Sequence, residues 1–353
     1  MKNSLLNRKN KKQLIRDIQD ESHKRITCSF YKYVRINNTL DIRNKLFSKF
    51  QKLNILGRVY IAKEGINAQI SIPYNNHDKL IPLLNDFNEF ENMEIKPSVS
   101  KSNFSFIKLI IKEKDKIVAD GLRAKDIVSN YKGNYLSAKE FNEAMDDPDA
   151  IIVDVRNYYE SEIGHFQKAL CPDVENHREL LPTIKNMLKG KENKKLLLYC
   201  TGGIRCEKAS AYLNKHNFKN INQLKGGIIS YAHQVKKEKL DCKFKGKNFV
   251  FDSRMSEEIT KDIISTCHQC DNPANTHVNC NNQACHILFI QCNACNKKLN
   301  GCCSIECLEI TNKPLEEQKL MRKNPNLAAP LRKFQKGTKP RLKDLLRNKA
   351  KDS

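Results

Sequence analysis

No run of apolar residues in this 353-residue chain approaches the roughly 18 that a bilayer-spanning helix needs, so no membrane partner is expected. The stretch Met1-Lys2-Asn3-Ser4-Leu5-Leu6-Asn7-Arg8-Lys9 holds basic side chains but no apolar core of signal-peptide length. The expectation is a soluble, cytoplasmic protein. A Gly-x-Gly-x-x-Gly after a strand is missing too, which removes the usual flavin or nicotinamide fingerprint. No set of histidines and carboxylates stands out as a non-haem iron triad. Acidic charge is in deficit: 40 Asp and Glu face 63 Lys and Arg, a formal net charge of +23. That excess makes a polyanion such as nucleic acid the leading class of partner.

The charge is uneven. Residues 1–25 carry eight basic and three acidic side chains and residues 319–353 twelve and two, so 60 terminal residues supply +15 and the other 293 only +8. Two basic arms flank a mildly basic body. In a reducing compartment the fourteen cysteines read as metal ligands or catalytic thiols rather than disulfides, and nine of them crowd between Cys267 and Cys307.

At about 150 residues per domain the length suggests two or three domains. After a basic arm (1–24), residues 25–120 alternate strand-like and helix-like patterns. Thr27 to Tyr33, Arg58 to Ala62, Ala68 to Ile72 and Ile107 to Ile111 read as strands, and the stripes Ile42/Leu46/Phe50/Leu53 and Leu80/Leu84/Phe87 as helices. Strand, helix, two strands, helix, strand is the ferredoxin-like α+β order. A connector (121–145) leads to an α/β region (146–240), whose strands Ile151 to Val155, Leu196 to Cys200 and Ile221 to Leu224 alternate with helices and predict a mainly parallel sheet. A cysteine-rich region (241–312) follows, then a basic tail (313–353) with Pro325, Pro330 and Pro340 and little apolar periodicity, read as largely disordered.

Cys200 sits where a predicted strand meets a predicted helix, the place where ligands bind in open α/β sheets. The loop Cys200-Thr201-Gly202-Gly203-Ile204-Arg205 can curl its N–H groups around the sulfur, because two glycines remove the Cβ obstacle. Those N–H groups, the helix N-terminus and Arg205 all favour an anionic sulfur, so a depressed thiol pKa is expected.

This pattern resembles the rhodanese domain. It is preceded by Asp154-Val155-Arg156 and Gly164-His165 and followed by Gly226-Gly227. The resemblance implies a persulfide-carrying cysteine at Cys200 and a first-strand motif in Asp154 and Arg156. Related phosphatases use a loop one residue longer, so the loop here suits sulfur chemistry. Cys206, where the family usually has a small polar residue, reads as either a resolving thiol or helix-start packing.

The match extends further. Gly57 to Gln69, Tyr199 to Ala209, Gly246 to Asp252 and the cysteine-rich region together look like the bacterial tRNA uridine(34) hydroxylase family. That resemblance implies oxygen-dependent 5-hydroxylation of the wobble uridine, with molecular oxygen as co-substrate, an electron donor the sequence does not name, and the tRNA anticodon loop as partner. A base in a single-stranded loop can be splayed out without breaking a duplex. In one route Cys200, as thiolate or persulfide, adds to C6 of the uracil; Arg205 and the loop N–H groups hold the sulfur, and Arg58 or Lys63 holds phosphates. The alternative is transfer of persulfide sulfur from Cys200 to tRNA or another acceptor. A non-catalytic zinc-containing RNA-binding module is disfavoured by the intact Cys200 loop.

The cysteines fall as Cys267-x2-Cys270, Cys280-x4-Cys285, Cys292-x2-Cys295 and Cys302-Cys303-x3-Cys307. Four pairs at knuckle spacing match two structural Zn²⁺ sites of four ligands each. The expected ligands are Cys267, Cys270, Cys280, Cys285, Cys292, Cys295, Cys303 and Cys307, with Cys302 spare. Spacing leaves sequential and interleaved pairing open, and an iron–sulfur cluster remains the competing occupant.

Overall fold

The computed structural model describes residues 10–21, 23–122, 133–331 and 333–351. Most of the first half of the basic N-terminal arm and residues 123–132 of the expected connector lie outside the described residues. The chain divides into two compact bodies, one of Met1–Ile151, Lys191–Asp241 and Val250–Glu257, the other of Ile152–Gly190, Cys242–Phe249 and Glu258–Ser353. No helix of the described residues is long and apolar enough to cross a membrane.

The first body begins with α1 (Lys11–Gln19), opened by a capping box between Asn10 and Gln13, with Leu14 and Ile18 buried. It continues with β1 (Arg25–Tyr33), α2 (Thr39–Lys52), β2 (Leu56–Ala62), β3 (Gly65–Pro73), α3 (Leu80–Asn85), β4 (Lys96–Pro97) and β5 (Leu109–Glu113). The sheet order is β4-β1-β3-β2-β5. All pairs are antiparallel except β2 with β5. Period-two alternation sends Phe30, Val59, Ala68 and Ile70 to one face, where they form a core with Leu46 and Phe50 of α2 and Leu80 and Leu84 of α3. The ferredoxin-like order β4-β1-β3-β2 is present, but its last strand is not the one read at Ile107 to Ile111. Lys96–Pro97 takes that edge, too short to leave a pattern and carrying a proline that cannot donate to a ladder. The expected strand, at 109–113, instead adds in parallel to the opposite edge.

The same body holds parallel strands Asn134–Leu136, Ile221–Leu224 and Leu196–Tyr199, the second lying between the other two. Helix Ala138–Met145 follows the first in the chain, Ile204–Lys215 joins Leu196–Tyr199 to Ile221–Leu224, and Gly227–Glu238 follows the latter. The first of these starts on a capping box of Ser137 and Glu140. The strand Ile151–Asp154 starts here, where the Ile151 N–H donates to the Lys195 carbonyl at 2.8 Å.

In the second body Gly164–Phe166 pairs antiparallel with Phe244–Phe249, and the cysteine-rich region is built on a hairpin of His277–Asn279 and Leu288–Ile290. The tail departs from the sequence reading. It holds helices Leu315–Lys323 and Leu342–Lys351, and Leu342 is fully buried in a cluster with Cys280, Cys285, Cys303 and Cys307. Arg341 makes a two-pronged ion pair with Asp173 at 2.6 and 3.0 Å and lies 4.2 Å from the Tyr158 ring centre. Lys343 pairs with Asp271, and Lys349 with Glu306. Three of the tail's basic residues are thus ion-paired within the chain.

Candidate active site and metal-binding cysteines

The strand Leu196–Tyr199 is buried throughout and delivers Cys200, itself 0% exposed, to the start of the helix Ile204–Lys215. Gly203 caps that helix with φ +98°, and its N–H donates to the Cys200 Sγ at 3.1 Å. Behind the loop, Ile228 and Ile229 N–H donate to the carbonyls of Cys200 (3.0 Å) and Thr201 (3.2 Å). Gly227 permits this approach: it has φ +67°, and a Cβ there would lie 2.4 Å from the Cys200 oxygen. Arg205 reaches back to the Thr201 hydroxyl at 3.2 Å and lies 5.9 Å from the Phe251 ring centre. Nothing within 4 Å would meet a side chain at Gly202, and the Ile204 carbonyl accepts from the Tyr33 hydroxyl at 3.2 Å.

Burial pushes the Cys200 thiol up. That is outweighed by a hydrogen bond from Cys206, the Arg205 charge and the N–H groups of Arg205 and Gly203, which together bring it down to about 5. Cys206, also buried, is driven the other way by burial and by the neighbouring Cys200 charge, so it stays a thiol and a donor. The pair is therefore polarised, one sulfur anionic and one protonated.

Several residues around the loop carry no motif of their own. The Tyr31 hydroxyl would lie 2.8 Å from a Cβ at Gly203 and donates to Glu207 at 3.3 Å; Tyr135 donates to the same carboxylate at 2.8 Å. Lys96, 5% exposed, has its ammonium 4.6 Å from the Tyr31 ring centre, and burial lowers its pKa against the pull of Glu94 and Cys200. Lys208 pairs with Glu64 at 2.5 Å and with buried Asp120 at 3.4 Å. Glu64, Glu207 and Lys208 lie in the stretches Gly57 to Gln69 and Tyr199 to Ala209 that carry the family resemblance, whereas Tyr31 and Tyr33 had only their alternation on one strand face as a signal. Arg58 and Lys63 are exposed, Arg58 within β2 and Lys63 at the turn into β3.

Asp154 and Arg156 hold each other. The buried guanidinium gives two hydrogen bonds to the carboxylate at 2.8 and 2.7 Å and a third to the Gly164 carbonyl at 2.6 Å. A bidentate, fully enclosed pair of this kind pins the chain after the strand.

Two groups of cysteines can hold a metal ion: Cys267, Cys270, Cys292 and Cys295, and Cys280, Cys285, Cys303 and Cys307. Pairs along the chain are thus interleaved. No cysteine is in a disulfide. The Sγ separations of Cys270 and Cys292 (3.6 Å), Cys285 and Cys303 (3.7 Å) and Cys303 and Cys307 (3.7 Å) far exceed a disulfide bond. They match the edge of about 3.8 Å of a tetrahedron with metal–sulfur distances of about 2.3 Å. The donor sets therefore fit a tetrahedral thiolate-bound ion. Cys302 is in neither group and faces Thr311 at 3.6 Å. His268 instead meets Glu162 at 2.9 Å, and burial holds His277 down at about 3. Asn282 donates to the Cys307 sulfur at 3.4 Å, an outer contact that orients a ligand.

Residues 25–117 match the family model of the UPF0176 acylphosphatase-like domain, residues 137–234 that of the rhodanese-like domain and residues 245–308 that of the rhodanase C-terminal segment. A tRNA uridine(34) hydroxylase of Leptospira interrogans is 50% identical over 88% of this chain and 85% of its own. One of Hamiltonella defensa is 46% identical over 91% and 89%. A solved rhodanese-like domain from Anabaena is 16% identical, covering 33% of this chain and 80% of that one with a TM-score of 0.26. With 46–50% identity over 88–91% of its length to such relatives, the chain belongs to the tRNA uridine(34) hydroxylase family.

Proposed function

We propose that this protein hydroxylates C5 of the uridine at position 34 of tRNA, with molecular oxygen as co-substrate and Cys200 as the nucleophile. The observation that carries the reading is the Cys200 cradle, a thiol lowered to about 5 inside a chain of this family. At neutral pH the sulfur is a thiolate, able to add to C6 of the uracil and place electron density on C5. Gly203 N–H, Cys206 S–H and Arg205 hold the anion before attack and release it as the carbon–sulfur bond forms. One oxygen atom then enters at C5 and the other leaves as water, so a reductant supplies two electrons and two protons. Loss of the C5 proton and expulsion of Cys200 restore the ring and the thiolate.

The substrate base lies in the single-stranded anticodon loop, and exposed Arg58 and Lys63 are candidates for its phosphates. Asp154 and Arg156 position the chain rather than touch the base. The two four-cysteine groups hold structural zinc, which would tie the hairpin and helices of the second body together without entering the reaction. The work is cytoplasmic, where tRNA and reduced thiols coexist. Purified protein incubated with unmodified tRNA, oxygen and a reductant should add one oxygen to uridine 34. A Cys200→Ala variant with full hydroxylation would sink the mechanism.

A further inference from the structure

The sheet of the first body buries one face under α2 and α3, and its other face has an open middle. Register aligns Lys96, Ser29, Gln69, Arg58 and Ile110 in one row and Tyr31, Asn67, Tyr60 and Lys112 in the next. Residues paired across strands point the same way and neighbours along a strand alternate, so both rows share the face opposite buried Phe30, Ala68 and Val59. The ends of this face are covered. Ser105 bonds Thr27 at 2.6 Å at one end, and Ile117 and Val118 pack with Ala62 and Tyr33 at the other. Between them Arg58 and Lys112 are exposed and Tyr60, Asn67 and Gln69 are partly so. Neither row contains a carboxylate, and among the described residues Arg58 and Lys112 have no ion-pair partner. The Lys114 ammonium lies 6.0 Å from the Tyr60 ring centre.

The second row leads to the chemistry. Its first member, Tyr31, lies against Gly203 of the thiol loop, and three strand spacings, about 14 Å, carry the row outward to Lys112. An aromatic ring beside amide side chains and unpaired cations, in rows that hold no acid of their own and meet one only where Tyr31 donates to Glu207, is the chemistry that takes unstacked bases and their phosphates. An acidic peptide would use the cations but has no use for the ring or the amides.

We infer that this sheet face is a platform for the single-stranded loop of the RNA substrate. A base neighbouring the reacting one stacks on Tyr60, Arg58 and Lys112 take phosphates, and Gln69 and the Asn67 Oδ1, whose amide NH2 donates to the Ile117 carbonyl at 3.2 Å, face base edges. The inference rests on the proposed action on tRNA and specifies where the loop lies. The test uses the full-length protein and an anticodon stem-loop oligonucleotide, with binding followed by fluorescence anisotropy over a salt series. Tyr60→Ala should weaken binding about 5- to 150-fold, the range for loss of one base-stacking contact, while Tyr60→Phe stays within about twofold of wild type. Arg58→Ala with Lys112→Ala should reduce the salt slope by about 1.4, for two single-strand phosphates. Cys200 alkylation profiles matching the wild type would show that each variant is folded. Wild-type affinity in Tyr60→Ala, equal losses in the Ala and Phe variants, or an unchanged salt slope in the folded double variant would overturn the inference. So would polyglutamate binding as tightly as the stem-loop. A wild type that binds the stem-loop at Tyr60 yet never modifies its uridine sinks the proposed activity and leaves the platform standing.

Discussion

Cys206→Ala tests the physical basis of the reactive thiol. Among the groups that lower the Cys200 pKa, the hydrogen bond from Cys206 comes first, ahead of the Arg205 charge. A hydrogen bond to a charged group contributes about 1.5–3 kcal/mol. At 1.36 kcal/mol per pKa unit its loss should raise Cys200 by about 1–2 units, from about 5 to about 6–7. The thiolate share at pH 7 would then fall from nearly all molecules to between about half and nine-tenths. The assay is the pH dependence of alkylation at Cys200, read peptide by peptide in a mass spectrometer. Access to the enclosed sulfur scales rates at every pH alike, so the midpoint reports ionisation. Cys206→Ser keeps a donor at the same place and should leave the midpoint near 5. An Ala variant with an unmoved midpoint, or Ala and Ser variants shifted equally, would refute the assignment of Cys206 as the donor.

A thiol lowered from 9.0 to about 5 stabilises the fold fully above its unfolded value and loses that contribution as pH falls through the folded one. Chemical denaturation should therefore show wild type gaining stability over Cys200→Ser as pH rises from about 5 to about 9, and a flat difference would contradict the shift. Gly227→Ala places a Cβ 2.4 Å from the Cys200 carbonyl at φ +67°, so it should destabilise by about 1–3 kcal/mol and shift the Cys200 alkylation midpoint as the loop moves. Elemental analysis should find about two zinc per chain in wild type and in Cys302→Ser but about one in Cys303→Ser. Iron with acid-labile sulfide would exclude zinc as the occupant.

The thiol loop was legible because its chemistry is local: a strand end, two glycines and an arginine within six residues fix where the N–H groups point. The four cysteine pairs were equally visible, but their interleaving was not. The hairpin His277–Asn279/Leu288–Ile290 decides it, and that pairing leaves no mark in cysteine spacing. Tyr31 and Lys96 reach the loop only through tertiary packing, from strands with no motif. The tail misled for a related reason. Leu342, Leu345 and Leu346 are too few to form a convincing stripe alone, and they are ordered by the buried cysteine cluster they cover. Deleting the tail would therefore expose a metal-binding group as well as remove charge, so substituting single unpaired lysines is the cleaner probe of RNA contact.

In the proposed reaction a Cys200 thiolate drives oxygen insertion at C5 of the wobble uridine. Its most direct test is mass analysis of nucleosides from tRNA treated with wild type and with Cys200→Ala under oxygen and a reductant. Wild type should give 5-hydroxyuridine at position 34 and the variant unmodified uridine. Addition of sulfur instead of oxygen, or equal hydroxylation by both proteins, would contradict it.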